Sequence, residues 1–364
     1  MSDINNNNAW STDIDTILAL PSRSADEKLR FVDSNIPACF TWDYSRNGLS
    51  LDKLYEKAKR SQWNATTDLP WETAVDMEKE AASTLTERKQ GTVDWSGSPV
   101  ALWGDKEWTE FAMLSQRWSL SQFLHGEQGA LLCSARLVEA VPNYEAKLFA
   151  STQVVDEARH VEVFARYLNE KLGGGFQINA HLGTLLEDIL VDDRWDMVYL
   201  GMQVMVEGLA LAAFGYMHHL SQEPLLKQLL KQVMADEARH VAFGTISLKE
   251  VYQELSTKEL QERAEFAFDA SLRMRDRFLQ QEVWEQMGAS PKDVIPRVAN
   301  DPQRMLFQSM LFAKIVPNCK KLGLLDVNDG WLRHRFEEIN VIGFENMDTT
   351  DDEVEQGVFD LTYA

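Results

Sequence analysis

The spacing of apolar residues changes character near Trp71. Before it, short helical patterns at 25–32 and 51–60 alternate with turn signals at Pro21, Pro37 and Asn47-Gly48. After it, apolar positions recur at helical spacing, broken only briefly by Gly and Pro. This rhythm predicts helices over 71–90, 105–141, 144–171, 179–190, 194–220, 224–253, 257–287, 301–316 and 328–338. No stretch between 71 and 340 reads as a linker. The reading is all-α: an N-terminal arm (1–70) packed on one helical domain (71–343), then a tail (344–364). After Gly343 the tail carries seven acids and no base, a composition expected of a solvated segment, with Phe359 and Tyr363 as anchors should it dock.

Composition narrows the class. Of 364 residues 45% are hydrophobic, while Gly (19) and Pro (10) are too sparse for a turn-rich sandwich or a low-complexity scaffold. A formal charge of −21, from 57 acids and 36 bases, disfavours nucleic acid and anionic lipid as partners. Cys39, Cys133 and Cys319 form no C-x-x-C pair and read as free thiols in a reducing compartment. Met1–Asn8 lacks the apolar core of a signal peptide. The most apolar stretch, Val204–Met217, contains Glu207 and falls short of the roughly 20 apolar residues that span a bilayer. A cytoplasmic protein without membrane association is expected.

The chemistry lies in an internal repeat. Asp156-Glu157-Ala158-Arg159-His160-Val161 recurs letter for letter as Asp236-Glu237-Ala238-Arg239-His240-Val241, an offset of 80. Thirty residues before each repeated Glu stands another acid in an apolar helical run, Glu127 before Glu157 and Glu207 before Glu237. Pro142 lies midway in the first pair and Gln222 midway in the second, so each pair belongs to a helical hairpin with arms of about 22 Å at 1.5 Å per residue. On one helix Glu157 and His160, and likewise Glu237 and His240, share a face. If the hairpins pack together, four carboxylates and two imidazoles converge inside a four-helix bundle. Four unpartnered buried anions are prohibitively costly, and two divalent cations balance them. Four Glu and two His suit iron or manganese better than zinc.

Glu from each of two helices and Glu-x-x-His from each of the other two is the ferritin-like di-iron carboxylate pattern. From Glu107 to Tyr252 the sequence resembles that superfamily, in particular the group of bacterial multicomponent monooxygenases and ribonucleotide reductase small subunits. The resemblance implies a ferritin-like bundle with two Fe ions, with Mn or a mixed Mn/Fe pair as variants, and O2 as co-substrate. Glu127, Glu157 and His160 would hold one ion and Glu207, Glu237 and His240 the other, some carboxylates bridging. It implies that Asp156 and Asp236 accept the free ring N–H of the histidines and that Arg159 and Arg239 pair with those acids.

The implied activity is O2-dependent oxidation of a small organic substrate, by hydroxylation or N-oxygenation. Alternatives are a non-oxygenase protein for iron or manganese handling, a fatty-acyl desaturase-like enzyme, or a radical-generating di-metal protein. Departures from relatives narrow these. Phe164 occupies the radical-tyrosine place of the reductase, with Tyr167 one turn further on. Leu211 replaces the Thr usual in multicomponent monooxygenases, and Val233 replaces the third His of arylamine N-oxygenases. No flavin, nicotinamide or iron–sulfur fingerprint is present, so an external electron donor, a reductase or ferredoxin, is expected, and a homodimer is compatible with the sequence. Helices 257–340 are expected to wall a substrate cavity. Gly126, Gly129, Gly201, Gly208 and Gly215 serve either close packing or room beside the metals. His125, His181, His218, His219 and His334 lack acidic companions at ligand spacing.

Overall fold

A computed structural model describes residues 14–23, 27–45, 49–82, 93–299 and 301–361. The chain contributes α1 (Ile14–Leu18) and α2 (Leu49–Arg60) from its N-terminal segment, then α3 (Asp105–Ala140) and α4 (Tyr144–Lys171). There follow α5 (Ala180–Val191), α6 (Trp195–Leu220) and α7 (Pro224–Glu254). Helices α3, α4, α6 and α7 form the ferritin-like four-helix bundle, and no strand occurs among the described residues.

Local chemistry sets the ends of these helices. The Asn143 side chain accepts from the Ala146 N–H at 3.0 Å, and Asn179 does the same for His181 at 3.0 Å. Glu223 accepts from Leu225 and Leu226 at 2.8 and 2.6 Å, with Pro224 in the first helical position. The hairpins therefore turn at 141–143 and 221–223, where the thirty-residue spacing puts them. Two buried aromatic groups close the bundle core at different levels. Phe214 meets Phe123 at 4.6 Å and Phe164 at 5.8 Å. Phe243 meets Phe149 at 4.4 Å and Tyr199 at 4.9 Å. Along α4, Phe149 precedes the Glu157–His160 pair and Phe164 follows it, so the aromatic groups bracket the polar centre.

Helix α6 is apolar and long enough to cross a membrane, but 89% of its apolar stretch is buried inside the protein. It is a core helix. Cys133 and Cys319 are buried and Cys39 half-buried, all three free.

Several elements differ from expectation. The helix expected over 257–287 breaks into α8 (Thr257–Asp276), a turn at Arg277–Leu279 and α9 (Gln281–Gln286). Gln280 takes φ 55°, a left-handed conformation costing roughly 1–2 kcal/mol. Its side chain accepts from the Ser115 hydroxyl of α3 at 2.6 Å, and the following Trp284 packs 4.2 Å from Phe111. Tertiary contacts override the helical rhythm there. An unexpected α10 (Pro291–Val298) contains Pro296, which hides it from periodicity. The expected helix 301–316 divides into α11 (Pro302–Leu311) and α12 (Ile315–Lys321). In α13 (Val327–Glu338) residues 328–330 are left-handed, so regular helix begins at Trp331.

At 71–90, residues 71–76 are turns and irregular chain and only 77–82 are helical; 83–90 lie outside the described residues. The 25–32 pattern is not a helix over 27–32; Arg30 is instead tied to Glu187 of α5 at 2.6 Å. Met1–Asn8, Asn47-Gly48 and Tyr363 lie outside the described residues.

The acidic tail is not a solvated segment. It forms α14 (Thr350–Glu355), with Thr350 and Val354 buried. Lys321 of α12 pairs with Asp351 at 2.5 Å and with Asp352 at 3.0 Å, Lys314 pairs with Glu353, and Lys57 of α2 donates to the Val354 carbonyl at 3.0 Å. Basic partners on the body neutralise acids that sequence alone assigns to solvent.

Candidate metal centre

The two hairpins bring Glu127, Glu157, His160, Glu207, Glu237 and His240 together at mid-bundle, none more than 5% exposed. Glu127, Glu157, His160 and Glu237 place ligand atoms within 4.8 Å of one another, as do Glu157, Glu207, Glu237 and His240. Glu157 and Glu237, the acids of the repeated motif, belong to both groups, so they are the shared carboxylates and Glu127 and Glu207 the outer ones.

The donor atoms crowd together at the middle of the bundle. His160 Nδ1 lies 3.1 Å from Glu127 and 3.0 Å from Glu237, while His240 Nδ1 lies 3.1 Å from Glu157. His240 Nδ1, Glu157 Oε2, Glu207 Oε2 and both Glu237 oxygens are nevertheless buried without an aligned hydrogen bond. Buried carboxylate oxygens are rarely left so. These orphaned atoms, of hard oxygen and imidazole type, fit a pair of metal ions.

The electrostatics agree. Burial, then the charge of Glu237, hold the Glu127 carboxyl well above its usual range; burial, then Glu157, do the same for Glu207. Burial also opposes ionisation of Glu157, but the charge of the neighbouring His240 and the close approach of both imidazoles outweigh it and hold that carboxyl low. Burial works against charge on His160 and His240 too, yet the surrounding carboxylates raise both imidazoles well above their ordinary range.

The outer contacts are crossed between the repeats. His160 Nε2 lies 3.1 Å from Asp236 of the other motif, and His240 Nε2 lies 3.3 Å from Asp156. Arg159 donates to Asp156 at 2.5 Å and to Asp236 at 3.0 Å; Arg239 pairs with Asp236 and lies 3.9 Å from Asp156. Each hairpin thereby orients the histidine of the other.

The N-terminal arm completes this layer, which its motif-free sequence does not disclose. Trp63 Nε1 donates to Asp236 at 2.7 Å and Gln62 donates to Asp156 at 2.8 Å. Arg159 donates to Gln62 at 2.9 Å and lies 4.7 Å from the Trp63 ring centre. Sequence reasoning also missed Gln153, fully buried, which donates to Glu157 at 3.1 Å and Glu207 at 2.9 Å. Gln203 donates to Gln153 at 3.4 Å from a π-helical segment, Leu200–Val206, that ends at Glu207. A Cβ at Gly244 would stand 2.7 Å from Gln203 Cβ, so this glycine admits the widened turn. π-helical turns inside α-helices often mark functional positions.

The remaining residues sort clearly. His125 and His181 face the backbone carbonyls of Phe176 and Ile17, at 2.9 and 3.2 Å. Tyr167 donates to Glu223 at 2.9 Å, at the helix end away from the cluster. Added Cβ atoms at Gly129 and Gly201 would stand 2.7 Å from Leu186 and 2.6 Å from Ile189, so these serve packing; Gly126 meets nothing within 4 Å and leaves room beside Glu127. A cavity of about 20 Å³ opens there, lined by Phe123, Gly126, Glu127, Glu207, Glu237 and Arg277. Phe123 also lines a larger cavity of about 360 Å³, walled by Phe278, Trp284 and Phe307 from the segments after α7.

Comparison with protein-family models and with curated proteins gives no match. Among solved structures the chain is similar to point mutants of an R2-like ligand-binding oxidase with reconstituted Mn/Fe cofactor. One, reconstituted anaerobically, shares 19% identity at a TM-score of 0.47, covering 77% of this chain and 94% of that chain. Another, reconstituted aerobically, shares 19% identity at a TM-score of 0.43, covering 85% and 96%. The four-helix bundle and the buried paired carboxylate–histidine cluster are built from this chain's own residues, and the cluster's donor set could hold metal ions.

Proposed function

We propose that this chain is a non-haem di-metal oxidoreductase that couples dioxygen to the oxidation of a small organic substrate, by hydroxylation or N-oxygenation. The observation that carries the reading is a buried six-residue cluster with orphaned carboxylate oxygens beside a cavity. Glu127, Glu157, His160 and Glu237 would hold one ion, and Glu157, Glu207, Glu237 and His240 the other. Oxygen and imidazole donors suit iron, with manganese or a mixed pair as alternatives. Such a pair supplies the redox equivalents that dioxygen chemistry needs.

The chain's own residues do the rest. The crossed Asp–His contacts fix which ring nitrogen faces the ions. The two aromatic groups exclude water, which protects an oxidising centre from side reactions. Phe164 at the reductase's radical position and the Glu223-bonded Tyr167 favour a bound substrate over a protein radical. An external reductase or ferredoxin provides electrons.

The test is oxygen uptake by iron-loaded, reduced protein under ¹⁸O₂ against a panel of small organic molecules. The expected result is uptake coupled to a labelled or oxidised organic product. Slow uptake with mineral build-up and no product from any molecule would refute it in favour of metal handling.

A further inference from the structure

The two motifs are identical in sequence, but the residues one turn before the four glutamates are not. With an offset of 80, Gln153 corresponds to Val233 and Gln203 to Phe123. An amide pair therefore precedes Glu157 and Glu207, whereas Val233 and Phe123 precede Glu237 and Glu127.

Gln153 is fully buried and gives its amide N–H groups to two carboxylates, Glu157 Oε1 at 3.1 Å and Glu207 Oε1 at 2.9 Å. Gln203 donates to the Gln153 carbonyl at 3.4 Å, which settles which end of that amide faces the glutamates. Gln203 is itself carried by the π-helical segment Leu200–Val206, which the missing Cβ of Gly244 accommodates.

These contacts fall on one half of the cluster. Glu157 turns Oε1 to His240 Nδ1 at 3.1 Å and Oε2 to His160 Nδ1 at 3.4 Å. Gln153 bonds the oxygen on the His240 side. Glu207 belongs to the His240 group only; there Gln153 takes Oε1 and leaves Oε2 buried without a partner. Glu127, the outer carboxylate of the other half, faces His160 Nδ1 at 3.1 Å instead.

We propose that Gln153, braced by Gln203, is a positioning residue for the second ion alone. It aims Glu207 Oε2 and Glu157 Oε1 at the place beside His240, and so makes the two halves of an identical motif inequivalent as metal sites. The inference rests on the di-metal reading and assigns a role within it. Two effects of the amide oppose each other. Its N–H draws charge from a carboxylate and weakens it as a ligand, but it also fixes the carboxylate's orientation. Orientation prevails, because Gln153 is the sole hydrogen-bond partner of Glu207 among the described residues, and loss of an outer partner of a metal ligand costs about 10–100-fold in affinity.

The test is anaerobic titration of the metal-free protein with manganese(II), followed by calorimetry and by electron paramagnetic resonance. The wild type is expected to take up two ions, with spin coupling between neighbours replacing the hyperfine-split spectrum of an isolated ion. Gln153→Met keeps the length of the side chain and removes its donors. It is expected to leave the first binding step unchanged and to weaken the second by about tenfold or more, so that the isolated-ion spectrum persists where the wild type is coupled. Gln203→Met, which touches no carboxylate, is expected to weaken the same step by a smaller factor.

Equal weakening of both steps in folded Gln153→Met would show a merely structural role and overturn the proposal. So would an unchanged second step, or a tightened one, which would mean that the amide's pull on charge prevails. Should Gln153→Met fail to fold, Gln203→Met decides by the same criterion: a loss confined to the second step supports the proposal, and any other pattern overturns it. Uptake of fewer than two ions by the wild type would instead remove the di-metal reading itself.

Discussion

Asp236→Asn probes the crossing of the two repeats. Asp236 Oδ2 receives Trp63 at 2.7 Å, Arg159 at 3.0 Å and His160 at 3.1 Å. Asparagine keeps one acceptor oxygen but removes the charge and turns an amide donor towards two arginines. Breaking a buried charge network by removing one partner costs about 3–5 kcal/mol, and each hydrogen bond to a charged group contributes about 1.5–3 kcal/mol. His240 lies four residues on in the same helix, yet the structure places Asp236 against His160, 76 residues away. Double-mutant cycles separate the two. In denaturant unfolding of metal-free protein, Asp236→Asn combined with His160→Ala should show a coupling of about 1.5–3 kcal/mol. Combined with His240→Ala it should fall below about 1 kcal/mol. A larger coupling to His240 than to His160 would refute the crossed arrangement.

Further outcomes follow from the same contacts. Trp63→Phe keeps the ring but deletes the donor to Asp236; stability should fall by about 1.5–3 kcal/mol and metal affinity by about tenfold or more, read by denaturant titration and chelator competition. Gly126→Ala meets open space and should stabilise by about 0.5–1 kcal/mol, whereas Gly201→Ala, with its Cβ 2.6 Å from Ile189, should destabilise by about 1–3 kcal/mol; thermal unfolding of both checks the contrast. His160 and His240 are raised well above the ordinary imidazole range, so both carry protons at neutral pH and must give them up to ligate. Metal affinity should therefore rise with pH, and calorimetry in buffers of different ionisation heat should show net proton release; uptake of protons, or no pH dependence, would contradict this.

The cluster was legible because two identical hexapeptides and two thirty-residue intervals encode it in helical arithmetic. Glu127 and Glu157 meet because a hairpin turning near Pro142 returns the chain to the same level. What was hidden depends on tertiary contact. Gln62 and Trp63 lie in a segment without motif, and only folding brings them to Asp156 and Asp236. The crossing of Asp and His between repeats requires knowing how the hairpins pack, which neither hairpin specifies alone. Gln280 breaks a helical rhythm because Ser115 donates to its side chain, a preference no local propensity records. Gln153 carried a signal that could have been read: it lies one turn before Glu157, as Gln203 lies one turn before Glu207, at places where the repeat departs from itself. The tail's acids had partners in Lys314 and Lys321, whose proximity is likewise a product of the fold.

On the reading developed above, this chain holds two metal ions between its repeated motifs. Elemental analysis of protein reconstituted with iron or manganese and freed of loosely bound ions tests it directly. Two ions per chain are expected in the wild type, with a loss of both in Glu157→Ala because that carboxylate is shared, and a loss of the second ion in His240→Ala. A stoichiometry near zero in folded wild-type protein, or one that neither substitution changes, would contradict it.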